Sequence, residues 1–351
     1  MTHLWVRAEQ RANETRVGLT PVGAADLLAA GFDVTVEESP SRVIGDAAYR
    51  QAGCTMAAPH TWPQAPADAI IFGLKELPEV DTPLTHRHIM FGHAFKGQPA
   101  GLRLLDRFRR GDGTLLDLEY LTDEDGRRLA AFGYWAGYAG AAVALKCWAA
   151  QQNGSIAGAL SAYQSSTALL SELQADLVAT GSHRPTALII GALGRVGTGV
   201  ADLCTAMGVP TTKWDMAETA TGGPFPEVFA HDLFFNCVLA RPGTPVFVPA
   251  DTVSRQRKLS VIADIACDPD SDFSPIKVYD KTTTWDRPAL RVHDTPVLDF
   301  TAIDNLPSML PLESSEDYAD QLLPVLKTLA QPDAPVWSRA AATFAQHVAR
   351  L

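Results

Sequence analysis

The stretch TALIIGALGRVGTGVADLCTAMG, residues 186–208, constrains the fold more than any other part of the chain. An aliphatic run stops at Gly191, glycines recur at 194 and 197, and a proline-free amphipathic segment follows. A buried strand turns this sharply into a helix only where residues lack a Cβ. The amide N–H groups of such a turn face outward with those of the helix start, and together they suit a pyrophosphate. The spacing is G-x-x-G-x-x-G, with Ala192 beside the first glycine. The next strand-like run, TTKWD, ends at Asp215, the right distance on for an acid that accepts hydrogen bonds from an adenine-ribose diol. A carboxylate there repels a 2′-phosphate, so the expected cofactor is NAD rather than NADP.

The same strand-then-helix alternation occupies the first third of the chain. LTPVGAADLLAAGFDVTVEE reads as a helix followed by a strand, with Thr20 as N-cap, Pro21 at the first helical position and Gly31 at the stop. DAIIFGLK (68–75), HIMFGHAF (88–95) and GTLLDLEYL (113–121) are further short apolar runs. Alternating strands and helices imply parallel sheets. From Gly133 the text becomes long, alanine-rich and helical, and later runs DLFFNCVLA and LSVIADIA read as strands. Two amphipathic helices close the chain after about residue 311 with no strands of their own, and suit a return to the first domain. The expected fold is α/β: two Rossmann-like domains with parallel sheets and an interdomain cleft. Residues 1–132 plus 312–351 form the substrate domain and 133–311 the NAD-binding domain.

Three apolar runs in the first domain end on ionisable residues: Lys75, His93 and Glu119. Ligands of open parallel sheets bind beyond the carboxyl ends of the strands, so the three are expected to share one edge. A lysine and a histidine in a closed cleft suit proton transfer. Arg16, Arg127 and Arg128 add forks for carboxylates. Such local cations matter because the chain as a whole is acidic, with a formal net charge of −11. That charge argues against nucleic acid or an anionic membrane as a partner. No apolar run has signal-peptide or membrane-spanning length, and five cysteines without a C-x-x-C pair fit neither a disulfide framework nor a zinc site. A cytoplasmic setting is expected, with the terminal ARL as a weak peroxisomal alternative. A monomer is expected, with a weak homo-oligomer as the alternative.

Six segments taken in order, GLKELPEVDT, GHAFKGQ, GTLLDLEYLTDEDGRRLAAFGYWAGYAGAA, IIGALGRVGTG, KWDMAETATGGPF and IDNLPSMLPLESSEDYADQLLP, resemble the NAD-dependent, lysine-forming saccharopine dehydrogenases. These lie within the alanine dehydrogenase and transhydrogenase-like group. The resemblance implies that Lys75 and His93 are the acid–base pair and that Glu119 stands beside the lysine. It implies that Arg16, Gln98, Arg128 and Phe132 hold substrate. Arg127, Gly194, Arg195, Asp215 and the segment Asp304, Asn305, Leu306 then contact NAD, alongside the loop glycines Gly191 and Gly197. The implied reaction oxidises the secondary amine of saccharopine and hydrolyses the imine to lysine and 2-oxoglutarate, reversibly and without a metal.

Four positions depart from the family pattern: Thr221, Ala266, Asn305 and Leu312. They touch the identity of the substrate rather than the acid–base pair. A related amino-acid or opine dehydrogenase, alanine dehydrogenase-like for example, is therefore the alternative, and a catalytically silent NAD-binding regulator is a further one.

Overall fold

The computed structural model describes residues 1–351 apart from 12, 182, 268–270 and 332. Two compact units emerge: 1–131 with 311–351, and 132–310. In chain order the first unit opens with β1 (His3–Val6), α1 (Pro21–Ala29), β2 (Asp33–Glu37), α2 (Asp46–Gln51) and β3 (Thr55–Ala57). It continues through β4 (Ile70–Phe72), β5 (Arg87–Met90), α3 (Pro99–Gly111) and β6 (Thr114–Asp117). The second unit holds α4 (Gly133–Gln152), α5 (Ser166–Ala179), β7 (Ala187–Ile190), α6 (Arg195–Ala206) and β8 (Thr211–Trp214). There follow α7 (Met216–Thr219), α8 (Pro226–Ala230), β9 (Leu233–Asn236), β10 (Val261–Asp264), β11 (Leu290–Asp294) and β12 (Val297–Thr301). The chain then returns to the first unit with α9 (Pro311–Lys327) and α10 (Pro335–Val348).

Each unit is a Rossmann-like α/β layer around a six-stranded sheet. The first has strand order β3-β2-β1-β4-β5-β6, parallel throughout. The second runs β11-β12-β10-β9-β7-β8, parallel except for the edge hairpin β11–β12. Strand order reverses between β1 and β4 in one sheet and between β7 and β9 in the other, and each reversal opens a crevice at the carboxyl edge.

Local chemistry accounts for the elements. The Thr20 hydroxyl accepts the Gly23 N–H at 3.2 Å and Pro21 sets the first helical φ, so α1 starts where expected. Such a cap contributes about 1 kcal/mol. Ile70, Ile71 and Phe72 of β4 are all buried, as a central parallel strand covered on both faces requires. Helices α4 and α6 cross so closely that a Cβ on Gly137 would lie 1.9 Å from the Val196 carbonyl oxygen, and one on Gly199 would lie 2.0 Å from that of Tyr134. Phe344 of α10 packs edge-on against Phe108 of α3, centroids 5.7 Å apart, and Ser315 of α9 accepts the Val17 N–H at 2.9 Å. These contacts explain why the last two helices belong to the first unit.

Candidate active site

At the carboxyl edge of the first sheet the ladders end earlier than the apolar runs do. Strand β4 stops at Phe72, β5 at Met90 and β6 at Asp117, so Lys75 and His93 lie three residues beyond their strands and Glu119 two. The three strands are adjacent and parallel, so all three residues emerge at one edge, with Lys75 next to the β1/β4 reversal.

The loops at this edge are cross-tied. The Glu9 carboxylate, just past β1, accepts the N–H groups of Leu74 at 2.6 Å and Lys75 at 3.1 Å. The buried Arg7 guanidinium donates to the Lys75 carbonyl. Gly73 makes room for it, since a Cβ there would lie 2.4 Å from Arg7 Nε. Phe91 N–H donates to the Leu74 carbonyl at 2.9 Å, tying the Lys75 loop to the His93 loop. Asp117 accepts the Gly92 N–H at 3.2 Å and the Glu119 N–H at 2.9 Å.

The charges come in pairs. Arg16 and Glu14 are both buried and joined through the guanidinium, Nη2 to Oε2 at 2.6 Å and Nε to Oε1 at 2.9 Å, and through the Arg16 backbone N–H, which donates to Oε1 at 3.0 Å. Burial alone would push the Glu14 carboxyl up, but the Arg16 hydrogen bonds and charge, with Lys75 adding to them, hold it below the usual value. Lys75 is itself buried. Glu119 pairs with the exposed Arg128 and lies 4.0 Å from Lys96 Nζ. His93 is half exposed, adopts a left-handed backbone (φ 48°), stacks on Phe91 at 6.3 Å and has Nε2 4.0 Å from Glu76 Oε2. Asp117 is nearly inaccessible, and burial pushes its carboxyl up to about 6 against the opposing effect of the two N–H donors. A groove of about 780 Å³ runs from His93 and Gln98 along α3 to Arg103 and Arg107, with Glu76 and Glu79 also lining it.

The glycine turn occupies the β7/β9 reversal of the second sheet. Gly191 has φ 87°, and a Cβ there would come 3.1 Å from the Cys237 carbonyl oxygen. A Cβ on Gly197 would come 2.2 Å from the Gly191 oxygen. Gly194 caps α6 with no side-chain bond, and a helix start is the kind of place where an anion is favoured. Asp215 stands at the tip of β8, accepting the Leu193 N–H at 3.0 Å on one oxygen and the Met216 N–H at 2.9 Å on the other. A carboxylate so held keeps further lone pairs, so the turn and the acid together fit a dinucleotide carrying a free ribose diol.

The remaining expected residues are distributed as follows. Arg195 is exposed at the first turn of α6, and Phe132 is half buried where α4 begins. Asn305 takes the left-handed conformation (φ 67°) and donates to the Ser308 hydroxyl at 2.8 Å, between an exposed Asp304 and a buried Leu306. An asparagine tolerates that backbone region well. Gln98 is exposed where α3 starts, and Arg127 is exposed on a short hairpin of the first unit, its N–H bonded to Asp123. Sequence reasoning missed Glu9, Glu14 and Asp117. The signal for Asp117 was present as an acid inside the apolar run TLLDLE, and for Glu14 as an acid two residues before Arg16.

Residues 5–139 match the family model described as alanine dehydrogenase/PNT, N-terminal domain, and residues 228–349 match the corresponding C-terminal domain. In fold the chain resembles a solved L-alanine dehydrogenase, with a TM-score of 0.68 at 18% identity, covering 99% of this chain and 94% of that one. It is 45% identical to the saccharopine dehydrogenase (NAD(+), L-lysine-forming) of Yarrowia lipolytica, over 99% of this chain and 98% of the relative. It is 42% identical to the enzyme of the same name from Neurospora crassa, over 100% of this chain and 97% of that relative. On this full-length similarity, the chain belongs to the NAD-dependent, lysine-forming saccharopine dehydrogenase family.

Proposed function

We propose that this protein catalyses the NAD-dependent, reversible oxidation of saccharopine to L-lysine and 2-oxoglutarate, with Lys75 and His93 as its acid–base pair. NAD supplies the hydride acceptor. Gly191, Gly194 and Gly197 keep the turn and the start of α6 clear of side chains for its pyrophosphate, and Asp215 accepts its ribose diol, with Arg127, Arg195 and the segment Asp304–Leu306 as further contacts. Arg16 and Arg128 bind carboxylates of the substrate, assisted by Gln98 and Phe132. Because Glu14 and Glu119 already compensate those arginines, a substrate carboxylate must share each guanidinium with its acid partner. Lys75, buried beside charges of both signs, takes the amine proton. The half-exposed His93 exchanges protons with water during imine hydrolysis.

The observation that carries this reading is the delivery of Lys75, His93 and Glu119 by three adjacent parallel strands to one edge, at a strand-order reversal. NADH oxidation with lysine plus 2-oxoglutarate, compared with ammonia plus pyruvate, tests it. Lysine plus 2-oxoglutarate is expected to have the higher kcat/KM. Faster turnover of ammonia plus pyruvate would transfer the protein to an alanine dehydrogenase-like activity. Tight NADH binding with no turnover of either pair would make it a regulator.

A further inference from the structure

We propose that Asp117 is a positioning residue that fixes the backbones of His93 and Glu119 relative to each other. This rests on the assignment of those two residues to the active site. Asp117 is the last residue of β6 and pairs in register with Met90, the last of β5. Beyond that rung β6 turns into a 3₁₀ segment, Leu118–Tyr120, while the β5 chain runs on through Phe91 and Gly92 to His93. The Asp117 side chain extends the ladder by one step: Oδ2 accepts the Gly92 N–H and Oδ1 the Glu119 N–H.

Two features show that the step is built for this purpose. A Cβ at Gly92 would lie 3.2 Å from Asp117 Oδ2 and 2.6 Å from Leu115 Cδ2, so glycine allows the approach without displacing either side chain. Next to it, His93 holds a left-handed backbone, a region histidine visits more readily than most residues but that still costs about 1 kcal/mol. The Asp117 bond and the Phe91–Leu74 bond are the restraints that immediately precede it. A serine or asparagine would suffice to cap the 3₁₀ turn. A buried carboxylate is a costlier choice, and what it adds is two acceptor oxygens that serve two N–H donors at once.

The experiment is a double-mutant cycle between Asp117 and His93. Asp117→Asn keeps the shape but turns one oxygen into an N–H donor facing another donor. It is expected to lower kcat about ten- to a hundredfold, the scale of a sub-ångström to ångström misplacement, with NADH affinity unchanged. In a His93→Gln background the same change should cost only about twofold, because the group it positions is gone. Asp117→Ser, with one oxygen to cap Glu119 and none for Gly92, should behave similarly and is read in place of Asn if that variant does not fold. Folding is scored by the NADH-induced rise in Tm. Unchanged kcat in a folded variant, a full multiplicative loss in the His93→Gln background, or failure of both variants to fold would each overturn the proposal. A normal kcat in His93→Gln alone would overturn the active-site reading itself, and the positioning role with it.

Discussion

At the carboxyl edge of the first sheet, the strand-order reversal is lined by buried charged side chains, Arg7, Glu14, Arg16 and Lys75, each set against an opposite charge or a carbonyl. At the equivalent edge of the second sheet the reversal is lined by glycine backbone, and Asp215 is the acid at its rim. The two crevices are topologically alike and chemically opposed. A site made of side chains has to neutralise its own charges before any ligand arrives, because a lone buried ion costs several kcal/mol. A site made of amides carries only partial charges and needs nothing but room. The first design, on the proposed function, places titratable groups where protons can move. The second, on the proposed function, grips a phosphate and leaves the chemistry alone.

The largest effect should come from breaking each design at its centre. Lys75→Met and His93→Gln remove titration while keeping approximate volume, so each should lower kcat on the order of a hundredfold or more, with NADH affinity retained. Gly197→Val should do the reverse, since its Cβ would meet the Gly191 carbonyl at 2.2 Å. NADH binding should be lost while the first unit keeps its stability. Equal loss of NADH affinity in the lysine and glycine variants would erase the distinction between the two edges.

A smaller effect separates buried from exposed charge within the first edge. Arg16→Ala strands Glu14 in the interior, and the expected destabilisation is about 3–5 kcal/mol together with a raised KM for 2-oxoglutarate. Arg128→Ala removes an exposed partner of Glu119, so KM should rise with a stability change of about 1 kcal/mol or less. Urea denaturation alongside steady-state kinetics checks both. If the two variants lost equal stability, the burial of the Arg16 pair would carry no special weight.

This contrast also governs what could be read from the amino acids. The glycine turn was legible because its constraint is local: a strand, a missing Cβ and a helix occur within a dozen residues. The edge residues Lys75, His93 and Glu119 were legible because each follows its own apolar run. Their partners were not, since Glu9 reaches Leu74 and Lys75 from another strand, and Glu14 matters only once Arg16 is buried. Strand β1, HLWV, hid in a short polar-flanked start, and β3, β11 and β12 lack the long apolar runs that marked the central strands. Of these only β3 and β11 lie at sheet edges; β1 and β12 are inner strands whose apolar runs are short.

The last predicted effect concerns a titratable residue that the first sheet buries without a hydrogen-bond partner. His88 of β5 is fully buried between the edges of Trp62 and Phe108, ring centroids 5.0 and 5.3 Å away, and neither ring nitrogen has a hydrogen-bond partner among the described residues. The corresponding strand of the second sheet, β10, carries Ile262 at the matching rung, which has no proton to gain. Burial first, then the nearby charges of Arg7, His86 and Arg107, hold the His88 pKa well below its ordinary value. The folded state therefore keeps His88 neutral where the unfolded chain protonates it. Above the unfolded value near 6.5 the residue adds no pH dependence. As pH falls below that value the unfolded state binds a proton that the folded state refuses, and stability declines. The decline continues until pH reaches the lowered folded-state value. His88→Leu fills the same apolar niche without titrating. Whatever its stability at pH 8, the variant should gain stability relative to the wild type when both are measured by urea denaturation at pH 5. Parallel pH profiles for the two proteins would show that the acid sensitivity of the first unit lies elsewhere.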